Sequence, residues 1–202
     1  MAFTLSAPAH SDLTIKKSRF IGCVQPMPDR ASAQAHVDAL WQQHPGAAHI
    51  CWALLAGGQS AAVDDGEPGG TAGRPMLDVL RHHDLEGVQA TVVRYFGGVK
   101  LGAGGLVRAY TAAASGALQS AELVSMRLVV DCKVRVSYAQ FEQAQRIIAA
   151  AETRLDEPIF DDAVTLCWRM PAGQEETLRT ALNELTRGGA EVEISAPQYA
   201  AF

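Results

Sequence analysis

Arg94-Tyr95-Phe96-Gly97-Gly98-Val99-Lys100-Leu101-Gly102-Ala103-Gly104-Gly105-Leu106-Val107-Arg108-Ala109-Tyr110 is the end of an apolar strand that runs through glycines into a helix. Five of the nine residues from Gly97 to Gly105 are glycine. Glycine adopts positive φ without strain and lets a partner come close to the backbone. Its concentration here predicts backbone N–H groups turned toward a ligand, or a tight packing of strand on helix. The helix that follows offers unpaired N–H groups and the positive end of its dipole at the same place. From Gly87 to Ala121 the chain holds no Asp or Glu, whereas Arg94, Lys100 and Arg108 fall inside that interval. The local charge is positive in a chain whose net charge is −5, which is the setting an anion needs.

Working outward toward the N-terminus, the strand Val88 to Phe96 follows a short helix with Met76, Val79 and Leu80 inward, opened by Pro75. Before it lies the turn-rich run Asp64-Asp65-Gly66-Glu67-Pro68-Gly69-Gly70-Thr71-Ala72-Gly73. Earlier still come an apolar strand Ile50 to Leu55 ending at Gly57-Gly58, a helix from Pro28-Asp29 with Ala33, Val37, Leu40 and Trp41 on one face, and a strand through Leu13 to Val24. A long helix after the glycines, through Leu106, Tyr110, Ala114 and Leu118, completes an α+β domain over residues 1–125.

Residues 126–202 form a second domain with a regular layout. Val130, Cys132, Val134 and Val136 alternate with charged residues and predict a half-buried strand. Ser137 and Gln140 make a capping box for a helix carrying Phe141, Ala144, Ile147 and Ile148. A hairpin around Asp161-Asp162, a second helix stopped by Gly188-Gly189 and a last strand at Val192 and Ile194 follow. The order is βαββαβ, a ferredoxin-like split βαβ.

Composition narrows the classes of function. At 202 residues the chain is long enough for two cores, and nearly half of it is hydrophobic. No apolar run approaches the roughly 20 residues that span a bilayer, and Met1-Ala2-Phe3-Thr4-Leu5-Ser6 lacks the order of a signal peptide. A cytoplasmic protein with no membrane partner is expected. The first domain carries 9 Lys/Arg against 10 Asp/Glu and the second 8 against 12, so a polyanion would choose the first. Cys23, Cys51, Cys132 and Cys167 are scattered through apolar segments, the pattern of buried thiols and not of a zinc site or a redox pair.

The candidate chemistry falls into three groups. Arg94, Lys100, Gly102, Gly104, Gly105 and Arg108 are the candidate anion or RNA site. Asp64, Asp65 and Glu67 are candidates either for holding a hard cation or for pairing with the nearby cations across two loops. His49, at the head of an apolar strand, is the candidate acid–base group. The glycine segment is neither a Walker loop nor a dinucleotide fingerprint, because Lys100 precedes the last three glycines and no Ser or Thr follows. No nucleophile elbow, His-Glu-x-x-His or reactive cysteine motif occurs, and no cofactor is expected.

Lys17-Ser18-Arg19-Phe20-Ile21, His49-Ile50-Cys51-Trp52-Ala53, the Asp64-to-Gly73 run and the Arg94-to-Tyr110 stretch, in that order, resemble the YigZ/IMPACT family in its bacterial two-domain form. The resemblance implies a ribosomal protein S5 domain 2-like fold for the first domain. For the second it implies a fold like the C-terminal domain of elongation factor G. Sugar and mevalonate kinases of the S5-like superfamily bind nucleotide phosphates on a glycine-rich loop before a helix, but this chain lacks their serine-bearing loop. Eukaryotic IMPACT relatives restrain a translation-controlling kinase; they lack the second domain, and their mechanism does not transfer. Three functions remain in view: a translation-associated regulator binding RNA, the ribosome or another phosphate-bearing partner; a metal-dependent small-molecule hydrolase or transferase; and a protein-interaction module.

Overall fold

Turn chemistry sets two of the strand pairings in the first sheet. The computed structural model describes residues 2–202, and the chain divides into two units, Met1–Ser125 and Met126–Phe202. The first runs β1 (Phe3–Leu5), β2 (Ala9–Ile15), β3 (Ser18–Pro26), α1 (Arg30–Gln43), β4 (His49–Ala56), β5 (Gln59–Val63), α2 (Gly73–His82), β6 (Val88–Tyr95) and α3 (Ala103–Gln119). Its five-stranded sheet has the order β2-β3-β6-β4-β5 with every neighbour antiparallel. The strand expected from Leu13 to Val24 is corrected to two. Lys16 and Lys17 both have positive φ, 45° and 65°, and form the two-residue turn between β2 and β3. Gly57 and Gly58, likewise at positive φ, turn β4 into β5.

β6 lies at the centre of the sheet and is covered on both faces. Ala90 and Val92 pack with Phe20, Val24, Cys51 and Ala53 under α2 and α3, while Val93 packs with Ile50, Trp52 and Leu54 against Ala33 and Val37 of α1. Each of the fully buried Val, Leu, Ile and Phe side chains contributes about 1.5–3 kcal/mol. Asp29 caps α1 by accepting from the Ser32 N–H at 2.8 Å.

β7 (Leu123–Val136) begins beside β1 in the first unit and continues into the second. There it pairs with β10 (Val164–Pro171) on one side, and with β11 (Val192–Ile194) and β12 (Gln198–Ala201) on the other. β8 (Arg154–Leu155) and β9 (Ile159–Phe160) share the far edge of β10. With α4 (Tyr138–Ala149) and α5 (Glu175–Thr186), the βαββαβ order is present, its second strand in two pieces and β12 added. Val134, Leu166, Trp168 and Met170 meet Ala144, Ile148, Leu178 and Leu182 in a separate core. Both bonds of the Ser137–Gln140 capping box form, and α5 ends through Arg187 and Gly188 at positive φ. Among the described residues, no helix is long and apolar enough to cross a membrane.

Candidate functional site

Antiparallel register puts three residues of distant sequence in one row. Arg94 on β6 stands opposite Phe20 on β3 and opposite His49 on β4, so all three share the face under α2 and α3. A cation in the middle of the apolar run Gln89-Ala90-Thr91-Val92-Val93-Arg94 needs a carboxylate if it is to be buried. Glu67 supplies it. Its Oε1 accepts from Arg94 Nη1 at 2.5 Å and from the Tyr110 hydroxyl at 2.7 Å. The pair is dry, with the Arg94 and Glu67 side chains 6% and 3% exposed. The guanidinium also lies over the rings of Phe20 and Phe96 at 5.4 and 5.5 Å, and its Nε has no hydrogen-bond partner.

The loop that carries Glu67 is held by its own carboxylates. Asp64 accepts from the backbone N–H groups of Gly70, Ala72 and Gly73 at 2.7, 3.0 and 2.8 Å. Burial pushes its pKa up, and those three donors together hold it below the ordinary aspartate value. Asp65 accepts from the Ile50 N–H at 2.6 Å, which ties the loop to β4. The Asp65 carbonyl meets His49 Nδ1 at 2.8 Å. A carbonyl can only accept, so Nδ1 carries the proton and Nε2 is left facing Glu67 Oε2, 3.9 Å away. Tyr110 packs edge-on to Phe20 and accepts from the Cys51 thiol at 3.4 Å. Burial pushes both groups well above their usual range, so the tyrosine stays a donor to Glu67 and the thiol stays protonated.

Above this row is a cavity of about 360 Å³ lined by His49, Glu67, Arg94, Phe96, Lys100 and the first turn of α3. Such a volume is within the range of small-molecule sites. The Leu106 N–H bonds to the Gly102 carbonyl at 2.9 Å, so the N–H groups of Ala103, Gly104 and Gly105 precede the first bond of the helix. Lys100 is exposed at the rim. Leu101 also borders a second hollow of about 280 Å³ lined by Lys16, Gly105 and Arg108. A larger hollow of about 520 Å³ between α2 and α3 is less chemical, since its charged pair Arg74–Asp78 is exposed.

The structure therefore brings together Arg94, Lys100, Gly102, His49 and Glu67, and sets Gly105 and Arg108 beside the neighbouring hollow. Asp64 and Asp65 spend their oxygens on backbone N–H groups, and Glu67 pairs with Arg94; among the described residues no group of three metal-ligating side chains converges. Arg94 is not a free cation, because Glu67 matches its charge. Two glycines serve the backbone: a Cβ on Gly97 would overlap the Lys17 carbonyl, and Gly102 has φ 74°. Gly104 is different, at negative φ with only Arg108 Nη1, 3.7 Å away, near its missing Cβ. Tyr110 and Phe96 were not singled out from the sequence. The signal for Tyr110 was an aromatic hydroxyl on the buried face of α3, and for Phe96 an apolar ring at the strand end, where β6 leaves the core.

Comparison with known proteins places these features in a family. The Impact N-terminal domain model matches residues 16–118, and the model of a domain of unknown function (DUF1949) matches residues 134–188. An IMPACT family member of Haemophilus influenzae is 34% identical over 188 residues, covering 89% of this chain and 90% of that protein. IMPACT family member YvyE of Bacillus subtilis is 32% identical over 200 residues, with 98% and 92% covered. IMPACT family member YigZ of Escherichia coli is 31% identical over 192 residues, with 93% and 94% covered. A crystal structure described as that of a hypothetical protein superposes with a TM-score of 0.66 at 31% identity, covering 94% of this chain and 95% of that one.

Proposed function

The chain belongs to the IMPACT family, in its two-domain bacterial form, and from that premise we propose that its first unit binds a phosphate-bearing partner, RNA of the translation machinery foremost. One observation carries the reading. The free N–H groups at the start of α3 open beside Lys100 onto a cavity whose only carboxylate among the described lining residues, Glu67, is already neutralised by Arg94. A helix N-terminus beside an unmatched lysine favours an anion twice over, through directed donors and through charge. Lys16 and Arg108 flank the neighbouring hollow and extend the positive surface along which a polyanion would run.

In the same reading the first unit has the S5 domain 2-like fold and the second the ferredoxin-like fold of the elongation factor G C-terminal domain. Both recur in translation, and that likeness adds only an associational argument. Binding of labelled RNA and of ribosomes to the full chain, followed by anisotropy and co-sedimentation at several salt concentrations, tests the proposal. Affinity should fall steeply with salt, and Lys100→Ala should weaken it and reduce the salt slope by about 1. Absence of binding at low salt, or binding indifferent to salt, overturns it.

A further inference from the structure

Resting on that phosphate reading, we propose that the cavity takes a single ribonucleotide unit with free vicinal hydroxyls. Its phosphate lies on the α3 N-terminus and Lys100, its ribose hydroxyls on His49 and Glu67, and its base on Phe96. The three subsites differ in chemistry, and each matches one part of that ligand.

The phosphate subsite is the first turn of α3 with Lys100. The helix end does not stand alone, because the same cavity takes in Lys100 and the nine-tenths buried Arg94, which is paired with Glu67 through Nη1 and has no hydrogen-bond partner at Nε. The ribose subsite is a pair of acceptors. Glu67 commits Oε1 to Arg94 and Tyr110 and keeps Oε2 toward His49; in the neutral ring the Nδ1 bond to Asp65 leaves Nε2 as an acceptor. The two acceptors are 3.9 Å apart, too far to bond each other and close enough to receive one hydroxyl each from a vicinal diol. Ribose presents such a pair and deoxyribose does not. The base subsite is Phe96, which holds the Arg94 guanidinium against its ring and is still 53% exposed at the rim. Aromatic rings at a cavity mouth are the stacking platforms that nucleobases use.

The ligand has two sources, a free ribonucleotide or the 3′ end of an RNA strand, since an internal RNA residue has its 3′ oxygen esterified. Calorimetry on the full chain with adenosine 5′-monophosphate and its 2′-deoxy counterpart tests the chemistry. The ribonucleotide should bind about tenfold tighter or more. Phe96→Ala, which leaves the core untouched, should weaken it roughly 5- to 150-fold, and His49→Ala should reduce the ribose preference. An adenosine hexamer ending in ribose, compared with one ending in 2′-deoxyribose, separates the sources. Dependence on the terminal ribose assigns the site to RNA ends, and a hexamer indifferent to it beside a bound monophosphate assigns it to free nucleotides. Equal binding of ribose and deoxyribose monophosphates, or wild-type affinity in Phe96→Ala, overturns this proposal and leaves the phosphate reading intact. No binding of nucleotides, RNA or ribosomes removes both.

Discussion

Glu67→Ala should be the most destabilising single change at the site. Glu67 is the counter-charge of Arg94 and the acceptor for Tyr110, both inside the protein. Taking away one member of a buried pair leaves the other without compensation, at about 3–5 kcal/mol. The adjoining cavity lets water reach the guanidinium once the Glu67 carboxylate is removed, which argues for the lower end, about 3 kcal/mol. For a unit the size of Met1–Ser125 that corresponds to a melting temperature lower by about 10 °C. Calorimetry of the full chain, with circular dichroism to follow the loss of secondary structure, measures it. A double-mutant cycle sharpens the test: adding Arg94→Met removes the stranded charge and should recover about 2 kcal/mol. If Glu67→Ala costs less than about 1 kcal/mol, or if the two changes are simply additive, the pair is not the dry clamp described above.

Asp64 should make the first unit sensitive to acid. Its folded pKa lies below its unfolded value of 3.8, so its stabilisation is present above about pH 4 and is lost as pH falls through the lower folded value; Asp64→Asn should flatten that part of a urea-midpoint profile against pH. Native alkylation read by mass spectrometry should modify the half-buried Cys167 before the other three thiols, because burial pushes Cys23 and Cys132 up to about 11 and Cys51 higher still. Gly97→Ala should disrupt the approach of the glycine segment to the β2–β3 turn and lower stability, whereas Gly104→Ala should raise it by about 0.5–1 kcal/mol and weaken phosphate binding. A Gly104→Ala protein that is more stable and binds as before would mean that this glycine does not serve a ligand.

Local chemistry was the legible part of the sequence. The α4 capping box, the stop of α5 at Gly188 and the hairpin between β9 and β10 each depend on residues a few positions apart. The β2–β3 turn was hidden because Lys16 and Lys17 occupy a conformation that glycine and asparagine normally advertise. β1 and β12 were hidden because strands of three and four residues carry too little alternation to read, and partners far along the chain define them. The same limit applied to the site. Glu67 and Arg94 were both visible, and pairing of the loop acids with the nearby cations was one of the two readings offered for them, but which acid meets which cation across 27 positions, and the addition of Tyr110 on α3, are settled only when register brings β6 under the helix.

The arrangement around Glu67 is expensive for a protein that needs only to fold. An apolar residue at each of the three positions would fill the same space beneath α3 without desolvating two charges, and such replacements are often neutral or stabilising. The neighbouring row shows that the sheet favours that solution elsewhere, with Ala90, Val92 and Ala53 on the same face. The polar exception falls where β6 leaves the core and its side chains meet a cavity instead of a helix. Within that cavity the pair fixes one carboxylate oxygen and frees the other, while Asp65 fixes one histidine nitrogen and frees the other. Two acceptors of set position, facing directed donors at a helix end, form a recognition surface whose geometry exists before a ligand arrives. Its stability cost is therefore best assigned to binding, and variants that replace Glu67, Arg94 and the Tyr110 hydroxyl together by apolar groups of similar volume should hold stability while losing the ligand.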